Sequence, residues 1–178
     1  MSTRMKGWRS IVLVLCCWGL WWGIPTTANA SIQTYPDPTQ GTVVVRSLKS
    51  LRDTTATSWQ LVLFKRLDAG RIQSIHLRVV GFPGRSIEPS SPLVMLAATG
   101  QSWQAPNCSE MALEGGSLPD STAEYDLFEI ARQFHNDTAM RLSFALTDGG
   151  IVEIPVPPAI VREWRTLVFE AGTSIEVS

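Results

Sequence analysis

Between Ser58 and Val80 the chain spells out a hairpin, and that hairpin limits the folds open to it. Ser58 to Arg66 reads Ser-Trp-Gln-Leu-Val-Leu-Phe-Lys-Arg, with Trp59, Leu61 and Leu63 on one face and Val62 and Phe64 on the other. Apolar residues on both faces predict a strand covered on both sides. Asp68-Ala69-Gly70 supplies a turn, and Arg71 to Val80 returns, with Ile75, Leu77 and Val79 alternating with Ser74, His76 and Arg78. That is the half-buried pattern, one face dry and one face wet. A connection this short makes the two strands antiparallel.

The rest of the chain extends this theme. Thr42 to Leu48, with Val43-Val44-Val45, predicts a strand, and Asp53-Thr54-Thr55 a turn after it. Leu93 to Ala98 reads as a short apolar strand, and Ser102-Trp103-Gln104 as the start of its partner. Ala105 to Pro119 reads as a loop containing Gly115-Gly116. Ser121-Thr122-Ala123-Glu124 has the form of a capping box. With Leu127, Phe128, Ala131 and Phe134 at helical spacing behind it, a helix is expected from Thr122 to His135. Met140 to Leu146 and Val152 to Val156 alternate around Asp148-Gly149, a favoured tight-hairpin dipeptide. Pro155 points to an edge or a strand end. Pro157-Pro158 can open a second helix, with Ile160, Val161, Trp164, Leu167, Val168 and Ala171 as its apolar stripe and Gly172 as its stop. The expected fold is therefore α+β: a mainly antiparallel sheet built from hairpins, with two amphipathic helices packed on it.

The first thirty residues read as an address. Arg4, Lys6 and Arg9 precede an apolar run from Ile11 to Ile24, Pro25 breaks it, and Ala28-Asn29-Ala30 offers small residues at a cleavage site. This is the pattern of a signal peptide cut after Ala30. A run of 14 residues is short against the roughly 20 needed to span a bilayer, so no membrane span is expected after cleavage. Cys16 and Cys17 lie inside the run and do not make a lipidation site. The expected organisation is a signal peptide over 1–30, an extended lead-in over 31–41, one α+β domain over 42–172 and a tail over 173–178. The lead-in, with Tyr35-Pro36-Asp37-Pro38, is expected to be poorly ordered unless docked.

Removing the leader leaves 148 residues with 12 Lys+Arg against 16 Asp+Glu and one cysteine, Cys108. One cysteine makes no internal disulfide. Cys108 reads as a small buried hydrophobe, with a free thiol able to pair with another chain as the alternative. The charge is polarised. Residues 31–90 carry eight bases and four acids, whereas residues 91–178 carry four bases and twelve acids. The basic set is Arg46, Lys49, Arg52, Lys65, Arg66, Arg71, Arg78 and Arg85. Several of these would share one sheet face, and Arg66, His76 and Arg78 are the candidate binding residues. Such a face suits an acidic protein surface or an anionic ligand. Mutual neutralisation of the two halves within one fold is the competing reading. A net negative exported chain is not expected to bind nucleic acid.

Catalytic and cofactor signals are weak. Gly-x-Ser-x-Gly, Gly-x-Gly-x-x-Gly and the P-loop pattern are absent from the sequence. His76, His135 and Cys108 are the only histidines and cysteine after cleavage, and no two are close in the chain, which argues against a metal site. No cofactor is expected. Asp126 and Glu129 read as a solvated helix face. Trp59 and Trp164 read as core, and Trp103 as a possible contact residue. The leading expectation is a non-catalytic accessory or binding protein. A small hydrolase or thiol-dependent enzyme using Cys108 with a histidine is one alternative, and a carrier of an apolar ligand is another.

Several stretches carry a family resemblance. They are Arg46-Ser47-Leu48-Lys49-Ser50-Leu51-Arg52-Asp53, the strand Ser58 to Arg66, His76-Leu77-Arg78-Val79-Val80-Gly81-Phe82-Pro83-Gly84, Tyr125-Asp126-Leu127 and Val161-Arg162-Glu163-Trp164. Together they resemble the exported cyanobacterial family catalogued as domain of unknown function 3122, over about Ser31 to Trp164. The hairpin carries most of the likeness, and the Asn107 to Pro119 loop does not match. The resemblance implies a cyanobacterial periplasm or thylakoid lumen. It lends no activity and no catalytic residues.

Overall fold

A computed structural model describes residues 32–37, 42–112 and 117–169. The expected signal peptide, Cys16, Cys17, Gly115-Gly116, Gly172 and the tail lie outside these residues. The described strands, all paired antiparallel, form two sheets. One sheet has the order β1-β2-β3-β4-β7, from Gln33–Asp37, Thr42–Arg52, Ser58–Asp68, Arg71–Val80 and Thr122–Asp126. The other has the order β6-β5-β8-β9, from Ser102–Ala105, Leu93–Ala97, Met140–Ala145 and Ile151–Val156. Among the described residues two α-helices follow strands: the one-turn α1 (Phe128–Ala131) and the longer α2 (Pro158–Phe169).

The central hairpin forms where its pattern puts it. Asp68 pairs with Arg71, and Ala69 and Gly70 both take positive φ, 47° and 76°. Two positive-φ residues are what a tight turn between right-twisted strands requires. At the other end of β3, Asp53 closes the β2–β3 turn. Its Oδ1 accepts the Thr55 and Thr57 backbone N–H groups at 2.8 and 2.9 Å, and its Oδ2 accepts Trp59 Nε1–H at 3.0 Å. The lead-in is docked: Gln33–Asp37 pairs with Arg46–Thr42 as an outer strand. Pro155 lies on β9, an edge strand, where a missing N–H disrupts no ladder.

One apolar core joins both sheets and α2. Trp59 on β3 meets Phe144 on β8 edge-to-face, with ring centroids 5.1 Å apart and planes at 82°. Helix α2 begins at Pro158, which suits a first helical position. It buries Val161, Trp164, Leu167 and Val168, one stripe at helical spacing, and contacts β2 and β3. Among the described residues no helix is long and apolar enough to cross a membrane.

Three expectations need correction. The helix expected over Thr122–His135 is a strand for its first five residues, and only Phe128–Ala131 is helical. Ala123 and Tyr125 point into the core, and the open edge of β4 offers Thr122–Asp126 a ladder that a helix would forgo. Local capping chemistry is worth about 1 kcal/mol, less than a strand's burial and pairing. Asp126 Oδ1 accepts the Phe128 N–H at 2.8 Å and starts the short helix instead. Asp126 and Glu129 therefore do not share a helix face. His135 closes no helix and sits exposed in the following loop. Of the basic set, Arg46, Arg66 and Arg78 do share one sheet face, as expected, and two lysines do not. Lys49 and Lys65 point inward, where Lys49 Nζ meets Glu163 Oε2 at 2.6 Å and Lys65 Nζ donates to the Val168 carbonyl at 3.1 Å. Burial holds the Lys65 amine below its ordinary range.

Candidate functional site

The outer face of the five-stranded sheet is built by register. Val44 faces Arg66, Arg46 faces Phe64, and Leu48 faces Val62. Across the next ladder, Phe64 faces His76, Val62 faces Arg78 and Arg66 faces Ser74. Arg78 then faces Glu124 and His76 faces Asp126. Arg66, His76 and Arg78 therefore share one face, as the alternation of β3 and β4 requires.

Phe64 is buried on this face with no second layer of secondary structure over it among the described residues. Three side chains cover it: the guanidinium groups of Arg66 and Arg78, at 5.5 and 5.6 Å from its ring centroid, and the His76 ring at 5.5 Å. At Phe64 β3 is thus covered on its second face too, by side chains of its own sheet. The cations themselves form the lid, with each cation–π contact worth about 0.5–1 kcal/mol at such a site.

Glu124 organises the part of the face nearest β7. Its side chain is 1% exposed, yet it accepts His76 Nδ1–H at Oε1 over 2.6 Å and Arg78 Nε–H and Nη2–H at Oε2 over 2.9 and 2.7 Å. Burial pushes the Glu124 carboxyl up, but the hydrogen bonds and charges of His76 and Arg78 pull it further down, below the ordinary carboxylate range. Arg78 is thus neutralised in place. Arg66 is exposed and pairs with no carboxylate among the described residues; Arg46 donates only to the neutral Gln33 and Tyr35 side chains and stacks on the Tyr35 ring at 4.4 Å. The expected basic trio therefore separates into Arg66, which meets no carboxylate among the described residues, and His76 with Arg78, which belong to Glu124.

Cys108 joins the same cluster from the far side of β7. The segment after β6 bridges Asn107 to Tyr125, so Cys108 lies across from Glu124. Cys108 N–H donates to the Glu124 carbonyl at 2.8 Å, and its Sγ–H does so at 3.4 Å. Ligand atoms of His76, Cys108 and Glu124 all lie within 4.8 Å of one another. The thiol-enzyme reading wanted a cysteine beside a histidine, and the fold provides the proximity. The environment opposes the chemistry. Burial, followed by the charges of Glu124 and Asp126, pushes the Cys108 thiol up to about 11, away from a reactive thiolate.

Other candidates take structural places. Trp103 is half-buried, donates Nε1–H to Gln133 at 2.9 Å and packs edge-on to Phe134, so it is held within the molecule. A cleft of about 530 Å³ is lined by Ile87, Leu118 and Pro119 but also by Ser86, Asn107, Glu110 and Asp120.

Sequence reasoning missed Glu124 as a site residue, because its spacing from Ser121 matched a helix cap. The signal that could have found it is the alternation of Ala123 and Tyr125 around it. No curated protein and no solved structure matches the chain. A family model spans residues 30–167, including the hairpin, β7 and nearly all of α2, and the chain belongs to that family, described as protein of unknown function DUF3122.

Proposed function

We propose that this protein is a non-catalytic accessory protein of an exported compartment, a cyanobacterial periplasm or thylakoid lumen, and that it binds an acidic protein surface through the outer face of its five-stranded sheet. The observation that carries the reading is the pair Arg46 and Arg66. They lie on adjacent strands, each stacked on an aromatic ring, and neither is matched by a carboxylate among the described residues. Stacking fixes the guanidinium plane and leaves hydrogen-bonding edges for a partner's carboxylates. Tyr35 and Leu48 are exposed beside them, and Val44 and Val62 are half-buried, giving the apolar centre that a protein contact uses. The N-terminal basic, apolar and small-residue succession supports the exported address.

The test is an affinity capture of the tagged protein from that compartment at low and high salt, with the variants Arg46→Glu and Arg66→Glu alongside. The expected result is a partner with an acidic surface whose capture falls at high salt and in both variants. Capture that is indifferent to salt and to both substitutions refutes this face as the binding surface.

A further inference from the structure

The geometry points to a site for a zinc-type divalent metal ion formed by His76 Nδ1, Cys108 Sγ and a Glu124 carboxylate oxygen. The three residues come from β4, the segment after β6, and β7, and the register of those chains places them in one patch. Their donor atoms lie within 4.8 Å of one another. Bond lengths of about 2.3 Å to sulfur and about 2.0–2.2 Å to nitrogen and oxygen put tetrahedral donors roughly 3.3–3.6 Å apart. His76 Nδ1 and Glu124 Oε1, now 2.6 Å apart, must therefore open by somewhat under 1 Å, and the separations to Cys108 Sγ, 4.8 Å at most, must close by up to about 1.3 Å.

The donor chemistry fits the same ion. One thiolate, one imidazole and one carboxylate make a set that zinc accepts, and three protein ligands leave a fourth position open. Arg78 would stay on Glu124 Oε2, in the place where ligating carboxylates commonly receive an outer hydrogen bond. His76 is 19% exposed and gives the ion a way in, while Cys108 and Glu124 close the site from below. On binding, the Cys108 thiol loses its proton to solvent, and His76 gives its Nδ1 proton to solvent and carries its one remaining proton on Nε2, so that the Nδ1 lone pair faces the metal. Because ligation displaces protons, affinity rises with pH.

The experiment uses the full chain carrying Cys16→Ser and Cys17→Ser, so that Cys108 is the one thiol. The metal-stripped protein is titrated with Co²⁺ and then Zn²⁺ at pH 8. A thiolate-to-cobalt charge-transfer band should grow to one equivalent and be bleached by Zn²⁺. It should vanish with Cys108→Ser, which keeps the shape, and Co²⁺ should bind at least about tenfold more weakly to His76→Ala. Far-ultraviolet circular dichroism checks that both variants are folded. A folded parent with no such band, or a band that survives Cys108→Ser, overturns the site. Weaker binding at pH 9 than at pH 7 would overturn the proton displacement it requires.

Discussion

Glu124→Gln should destabilise the fold by an amount that depends on pH. The substitution keeps size and shape but removes the charge that His76 and Arg78 share. Removing one member of a buried ion pair costs about 3–5 kcal/mol when the other charge stays buried. Here Arg78 is 30% exposed and His76 19%, so water recovers part of their hydration. About 1.5–3 kcal/mol should remain at pH 7, the range for hydrogen bonds to a charged group. For a domain of this size that lowers Tm by roughly 5–12 °C. The Glu124 carboxyl is held below its ordinary value near 4.5, so its contribution is complete above that pH and is lost as pH falls through the lower folded value. The gap between the parent and Glu124→Gln should therefore be full at pH 7 and shrink below about pH 4.5. Urea unfolding followed by tryptophan fluorescence at pH 7 and at pH 3 measures both. A gap under about 0.5 kcal/mol at pH 7, or one that is the same at pH 3, would refute the ion-pair reasoning.

Asp53→Ala should cost about 2–4 kcal/mol in the same assay, because it strips four hydrogen bonds, counting the Thr55 hydroxyl, from the β2–β3 turn and leaves Trp59 Nε1–H buried without its acceptor. A loss under about 1 kcal/mol would show that the turn holds without its carboxylate. Gly81→Ala places a methyl group 2.5 Å from Trp59 Cζ3, inside the core, and should cost about 1–3 kcal/mol with a shift in tryptophan emission. Unchanged stability and emission would mean that Trp59 moves aside freely.

Most strands were legible because their signal is local. Alternation in Arg71–Val80, the Asp148-Gly149 turn and the apolar stripe of Pro158–Phe169 each depend on neighbours in sequence, and each element formed where its pattern lies. The division into two sheets was not legible, since nothing local decides whether Leu93–Ala97 pairs with Arg71–Val80 or with Met140–Ala145. Lys65 shows the same limit on a single side chain. Its alternating position with Leu61 and Leu63 places it inward, against the usual preference of lysine for water, and the C-terminal end of α2 supplies a carbonyl to meet it.

The site failed to show in the sequence for a related reason. His76 and Glu124 are 48 residues apart, and Glu124 and Cys108 are 16 apart, so no spacing rule joins them. Their meeting depends on Thr122–Asp126 being a strand. Had the capping box prevailed, Glu124 would lie at a helix start, β4 would keep an open edge, and Arg78 would present an unmatched charge to solvent. The fold instead spends that charge on burying Glu124 and covering Phe64, while Arg66 and Arg46 on the same face pair with no carboxylate among the described residues. The choice of strand over helix at five residues thus decides both where a metal could bind and which arginines face outward.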